Sequence, residues 1–301
     1  MEQELYPYWP IVQRPPVRWP GGARVAFYVG VNVEHYLLDR RSTSISPATV
    51  GLVPDPMNYG WRDYGPRVGI WRLIDLLDGL SIRASVLLNS AVCARYPQII
   101  AAGRERDWAW LAHGRDNSTL QTEMDEAAEQ EYLAEVTRTI EDATGCPPRG
   151  WLGPALSETL NTPRLLRGLG FSYVLDWVND DQPYPLSIEG MISVPYSAEL
   201  NDVPLFTARN LSGPEYVRLV VDALDQLLID GESGGRVLAL PLHPFIVNQP
   251  SRHRYLAEVL EYVVGRPGVW VTTSDEIAGH YRRHHESEAR RLSLARDGDG
   301  S

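Results

Sequence analysis

The sequence predicts an α/β fold, a distorted (β/α) barrel of about seven or eight strands. Three observations lead there. Short apolar, β-branched runs alternate with segments of helical period along most of the chain. The first run, R-V-A-F-Y-V-G-V-N-V at 24–33, is apolar almost throughout, as a strand buried on both faces must be. Three runs also end in Glu or His: Val31-Asn32-Val33-Glu34-His35, the run ending at His113, and Leu240-Pro241-Leu242-His243. In β/α folds the C-terminal strand ends are where reacting groups converge.

Taken in order, residues 1–23 are rich in Pro and aromatics, with neither a basic region nor an apolar stretch of signal-peptide type. They read as an N-terminal strap. Strand 24–33 follows. The polar stretch 38–62 contains Pro47, Gly51, Pro54, Pro56 and Gly60. So long an irregular segment points to a functional loop, such as a lid. Residues 68–80 are helical in pattern, with Ile70, Trp71, Ile74 and Leu77 on one face. A strand at 83–88, a helix at 94–102 and a strand at 108–113 come next. The clearest helix is 124–143, where Ala128, Tyr132, Val136 and Ile140 recur every four residues. Further strands are expected at 150–152, 171–177, 191–196, 236–243 and 268–272, with helices at 163–168, 214–229, 252–264 and 275–284. There is no internal repeat and no linker, so 24–285 reads as one barrel domain. The polar stretch 286–301 reads as a flexible tail.

Composition narrows the function. The 301 residues carry a net charge of −11, and every one of the 28 Lys+Arg residues is Arg. A lysine Schiff base and the usual P-loop are excluded. With no basic stripe, neither nucleic acid nor an anionic membrane is an expected partner. No run approaches ~18 apolar residues, so no membrane span is expected and a cytoplasmic address is the default. Cys93 and Cys146 are far apart and form no metal-knuckle spacing.

Glu34-His35 can act as base plus ligand or base plus acid, or can be solvated loop residues. His113 and Asn117, four residues apart, can face one point. Imidazole there suits zinc, whereas Asn is a weak ligand without charge. The alternative is a capping network, since Asp116, Asn117, Ser118 and Thr119 are all cap formers. His243 can be a buried hydrogen-bonder or an acid for a leaving nitrogen, with Asp176 suited to orient it. Arg149 can anchor charge, and Trp151 and Trp177 can wall a pocket or fill the core.

The order of motifs resembles the polysaccharide deacetylase superfamily, most closely its allantoinase-like and cyclic-imide-hydrolase-like branch. The pieces are V-N-V-E-H (31–35), D-Y-G-P-R-V-G-I-W-R (63–72), A-H-G-R-D-N-S (112–118), P-R-G-W-L-G-P (148–154), D-W-V-N-D-D-Q-P-Y (176–184), V-P-Y-S-A-E-L-N-D (194–202), P-L-H-P-F (241–245) and V-W-V-T-T-S-D-E-I-A (269–278). They span nearly the whole chain from Arg24 to His284.

The resemblance implies hydrolysis of an amide-type C–N bond. Glu34 stands at the base position and His35 at that of a metal aspartate. His113 matches the first metal histidine, and Asn117 replaces the second. Arg149 matches a third-motif arginine, Asp176 an acid-orienting position and His243 the acid. A set of His35, His113 and Asn117 supplies no negative charge, unless Glu34 also ligates, so no tightly held cofactor is expected. A weak zinc site at His35 and His113 is the alternative. The expected activity is hydrolysis of a small amide, ureide or cyclic imide. Glu34 would activate water, and His113, Asn117 or a backbone N–H would hold the oxyanion. His35, Trp151, Trp177, Glu199, Asn201 and Asp202 are expected around the substrate. The rivals are a metal-dependent deacetylase of N-acetyl sugars or peptidoglycan, and a non-catalytic binding protein. The resemblance also implies a homodimer or homotetramer and a small-molecule substrate.

Overall fold

A curled, mostly parallel sheet organises the chain in the computed structural model, which describes residues 3–46, 48–49 and 51–297, with side chains as far as residue 293. Its strands are β1 (Val25–Val33), β2 (Ser85–Leu88), β3 (Ala109–Ala112), β4 (Gly150–Trp151), β5 (Tyr173–Val174), β6 (Tyr184–Pro185), β7 (Ile192–Ser193), β8 (Arg236–Leu242) and β9 (Val269–Val271). The order is β6-β7-β5-β4-β3-β2-β1-β8. Only β6–β7 is antiparallel among the described residues. One edge of β1 pairs β8 from Val25 to Val31. The other takes β9 at Val25–Phe27 and β2 at Gly30–Val33. The arrangement is the expected deacetylase-like distorted barrel, with a seam between β8 and β6.

Strand parity divides the core. Val25, Phe27, Val29, Val31 and Val33 face the outer helices. Ala26 and Tyr28 face the barrel interior with Leu87, Leu111, Leu152, Tyr173, Leu175 and Tyr196. Because the side-chain period is two, this alternation decides which residues at each strand end look inward. Tyr28 and Tyr173 fill the interior below the polar layer. Their hydroxyls donate to the Pro195 carbonyl at 2.8 Å and to Asp275 Oδ1 at 2.7 Å.

The N-terminal segment lies along the seam. Trp9, Val17 and Trp19 are buried, and Trp19 Nε1 donates to the Arg236 carbonyl at 2.8 Å. Arg14 and Asp180 form an ion pair at 2.6 Å. Gly235 N donates to the Val17 carbonyl, which covers the sheet edge that β8 would otherwise leave open.

Helices cover the outer face. α1 (Pro56–Tyr64), a π-turn at Gly65–Gly69 and α2 (Ile70–Gly79) follow β1. α3 (Ser90–Arg95) and α4 (Pro97–Glu105) follow β2, and α5 (Glu126–Thr144) follows β3. Then come α6 (Thr162–Gly168), α7 (Asp202–Thr207), α8 (Gly213–Asp230), α9 (Pro244–Val247), α10 (His253–Val264), α11 (Ser274–His284) and α12 (Glu286–Asp297). α5 starts at Asp125, whose carboxylate accepts from Ala128 N, and ends at Gly145 with φ of 80°. Gly69 is required by packing: a Cβ there would sit 2.2 Å from the Pro244 carbonyl oxygen, so the π-turn presses directly behind His243.

Three expectations change. The helix expected at 94–102 is two, broken before Pro97, which cannot donate to the preceding turn. The irregular segment 38–62 ends early, because Asp55 caps a helix with Pro56 at its first position. From Glu286 to Asp297 the tail is helical. α12 runs to Asp297, and Arg290 donates to the carbonyls of Leu186, Ile188 and Met191. Pro47, Val50 and residues 298–301 lie outside the described residues. No helix among the described residues is long and apolar enough to cross a membrane.

Candidate functional site

Four side chains converge at the C-terminal ends of three strands. Parity turns Glu34 inward from β1, His113 from β3 and His243 from β8. Asn117 arrives from the loop after β3, whose backbone N donates to the His35 carbonyl at 2.9 Å. Glu34 Oε1 lies 2.5 Å from Asn117 Nδ2, 3.3 Å from His113 Nε2 and 3.5 Å from His243 Nε2. The other oxygen, Oε2, accepts from the Tyr36 hydroxyl. All four side chains line one cavity of about 570 Å³, together with Asn32, Arg41, Ser42, Thr43, Leu152 and Asn201.

Each ring is fixed from behind. His113 Nδ1 lies 2.6 Å from the Leu152 carbonyl. That carbonyl can only accept, so Nδ1 carries a hydrogen and the Nε2 edge faces Glu34. His243 Nδ1 lies 2.6 Å from Asp202 Oδ1, and Asp202 Oδ2 accepts from His243 N at 2.7 Å. Asp202 is fully buried at the start of α7.

The charges are interlocked. Burial opposes ionisation of Glu34, but the His243 charge and the hydrogen bonds from His113 and His243 hold its carboxyl well below the usual carboxylate range. Burial likewise opposes the charged form of His243. The Asp202 and Glu34 carboxylates outweigh it and push the imidazole up to about 10. At neutral pH the centre holds a carboxylate against an imidazolium.

Several expected site residues lie elsewhere. Parity turns His35 outward, against Tyr96: Nδ1 is 3.5 Å from that hydroxyl and the ring centroids are 6.1 Å apart. Asp176, two residues beyond β5, is not paired with His243 either. Its Oδ1 accepts from Gly153 N at 2.7 Å, and its carboxyl pairs with Glu158. The orienting acid of His243 is therefore Asp202, which the sequence suggested only as a lining residue. Arg149 is exposed at the opposite, N-terminal end of β4, where its charge faces Asp275. Trp151 is fully buried in the outer core against Phe171. Trp177 packs on Tyr6 and donates to Glu158 Oε2 at 3.1 Å. Glu199 is exposed beside Arg209, at the edge of a different cavity of about 950 Å³ along the seam. Asn201 does line the same cavity as Glu34, and its Oδ1 also caps α7 at Val203 N. Tyr36 was not singled out. Its place two residues beyond Glu34 was the available signal.

The superfamily resemblance implies a metal, and the donor set here does not fit one. His35, the expected partner of His113, is on the other side of the strand. Among the described residues no group of three or more His, Cys, Asp or Glu is arranged to hold a metal ion.

Comparison with known proteins finds related chains. A polysaccharide deacetylase family model matches residues 59–174. A Schizosaccharomyces pombe protein named "Putative polysaccharide deacetylase" is 25% identical over 305 residues, covering 90% of this chain and 94% of its own. The crystal structure of a probable polysaccharide deacetylase from Pseudomonas aeruginosa PAO1 superposes with a TM-score of 0.81 at 26% identity, covering 91% of this chain and 96% of that one. The crystal structure of Puue allantoinase gives a TM-score of 0.81 at 27% identity, covering 90% and 94%. These matches support the polysaccharide deacetylase superfamily, with its allantoinase-like branch, as what the chain resembles, and indicate a hydrolase of carbon–nitrogen bonds other than peptide bonds.

Proposed function

We propose that this protein hydrolyses a small amide, ureide or cyclic imide, with Glu34 as general base and His243 as general acid. One observation carries the reading: Glu34 Oε1 stands within 3.5 Å of both histidine Nε2 atoms in one cavity. Glu34 accepts a proton from a water as it attacks the carbonyl carbon. Asn117 Nδ2 borders the developing oxyanion, where one such donor supplies ~3–4 kcal/mol. His243 Nε2 gives its proton to the departing nitrogen as the C–N bond breaks.

The two proton transfers are coupled. At rest the His243 charge makes Glu34 a weak base. As His243 releases its proton, that restraint goes and the carboxylate regains basicity. No step is routed through a metal, because the residues around Glu34 do not make a metal set.

The cavity supports a compact substrate rich in hydrogen-bonding groups. Asn32, Ser42, Thr43, Asn117 and Asn201 line it, and about 570 Å³ suits a small molecule. Support for C–N hydrolysis also comes from the likeness to an allantoinase. A hydrolysis screen over hydantoins, imides, ureides and N-acetyl sugars, with and without EDTA, tests this. Turnover of a ureide or imide that survives EDTA is expected. Turnover of acetyl sugars alone, abolished by chelator and restored by zinc, would overturn it. Binding without turnover would favour a non-catalytic role.

A further inference from the structure

Arg62 is a buried cation with no direct ion pair: burial opposes its charge, and the Tyr36 phenol and the Asp55 and Glu34 carboxylates favour it from beyond ion-pair distance. It is 4% exposed on α1, and no carboxylate lies within ion-pair distance of it among the described residues. Its Nε has no hydrogen-bond partner. A buried charge without a direct ion pair is costly, so its position calls for a reason.

Two contacts supply one. The guanidinium carbon sits 4.6 Å from the centroid of the Tyr36 ring. Nη1 donates to the carbonyl of Thr43, which lines the catalytic cavity with Arg41 and Ser42. Tyr36 in turn donates to Glu34 Oε2 and lies 3.5 Å from Asn117 Nδ2. Phe245 meets the Tyr36 ring edge-on at 6.1 Å, and the His243 ring at 5.7 Å. The phenol is boxed by Arg62 on its face, Phe245 at its edge and Glu34 at its hydroxyl.

We infer that Arg62 is a positioning residue: through Tyr36 it ties the 41–43 wall of the cavity to the orientation of the Glu34 carboxylate. A cation on the ring face and a hydroxyl bound to Oε2 leave the carboxylate one orientation, with Oε1 toward the histidines. The same cation fixes the wall through the Thr43 carbonyl. Loss of Arg62 frees both at once. The inference rests on Glu34 being the base, and its test separates the two claims.

Tyr36→Phe, Arg62→Met and the double variant are compared on the best substrate of the screen. Each single change is expected to lower kcat about tenfold with KM little altered. The double is expected to be no worse than the weaker single, because both break one chain of contacts. Arg62→Lys keeps the charge over the ring and is expected to recover kcat to within about threefold of wild type. Should Arg62→Met not fold, Arg62→Gln takes its place. Full kcat in Arg62→Met, or effects that multiply in the double variant, overturns the inference. If no compound in the screen is hydrolysed, the hydrolase reading fails and the crystal structure of the Arg62 variant decides this one. Tyr36 turned away from Glu34 with residues 41–43 displaced supports it; both unmoved overturns it.

Discussion

Asp202 holds His243 by two hydrogen bonds, Oδ1 to Nδ1 at 2.6 Å and Oδ2 to the backbone N at 2.7 Å. One carboxylate thus fixes both the ring and the turn that presents it. With Glu34 on the far edge of the ring, His243 stays charged up to about pH 10. Asp202→Asn removes the charge and keeps the shape. Activity should fall on the order of a hundredfold, and the alkaline limb of the pH–rate profile should move to lower pH. A limb that stays in place in Asp202→Asn would show that His243 is not the titrating acid.

The same charge makes stability depend on pH. The His243 pKa is raised from an ordinary 6.5 to about 10 on folding. Its contribution is therefore fully present below about pH 6.5 and is lost as pH rises through about 10. Urea midpoints measured across that window should decline in wild type and decline less in His243→Asn. Parallel declines would argue that another group titrates.

A buried pair of acids adds to the same trend, at lower pH. Asp176 and Glu158 are buried side by side, and burial with mutual repulsion pushes Asp176 up, while burial pushes Glu158 up to about 7. Carboxyls with raised folded values cost stability as pH climbs through them. Glu158→Gln should therefore raise Tm by a few degrees at pH 8 and change it little at pH 4. Trp177 donates to Glu158, so its fluorescence should titrate near pH 7 in wild type and not in the variant. Equal Tm shifts at both pH values would contradict a shared proton.

How much of this was legible in the sequence follows from strand parity. The run 31–35 announced a strand end with an acid and a histidine. Only its pairing shows that Glu34 faces in and His35 faces out, and a register change of one residue would exchange them. The same period sends Leu152 inward and Trp151 outward, and Leu175 inward and Val174 outward. Glu34, His113, Asn117 and His243 were read from strand tips, because long β-branched runs mark those ends. Asp202 was hidden, since it meets His243 from a short helix 41 positions away. Its partnership is tertiary and leaves no local pattern. The tail helix was hidden for a related reason: its polar sequence is held by Arg290 on distant carbonyls.

Arg149 offers a control at the opposite end of the sheet. It is exposed before β4, away from the cavity. Arg149→Ala should leave kcat/KM within about twofold of wild type, since it makes no contact that differs between ground and transition states. A large loss would return Arg149 to the reaction.

Metal removal is equally direct. The donors around Glu34 do not form a metal set, and His35 lies across the strand. Dialysis against chelator should leave the rate unchanged, and added zinc should not raise it. Loss on chelation with recovery on zinc would require His35 to swing inward.

The central claim is that Glu34 is the base. It is tested by steady-state rates of Glu34→Gln on the best ureide or imide substrate, with binding measured alongside by calorimetry. The side chain keeps its size and its contacts to Asn117 but cannot take a proton. The account predicts retained binding and a loss of kcat of about a hundredfold to ten-thousandfold. Unimpaired turnover in Glu34→Gln would contradict it.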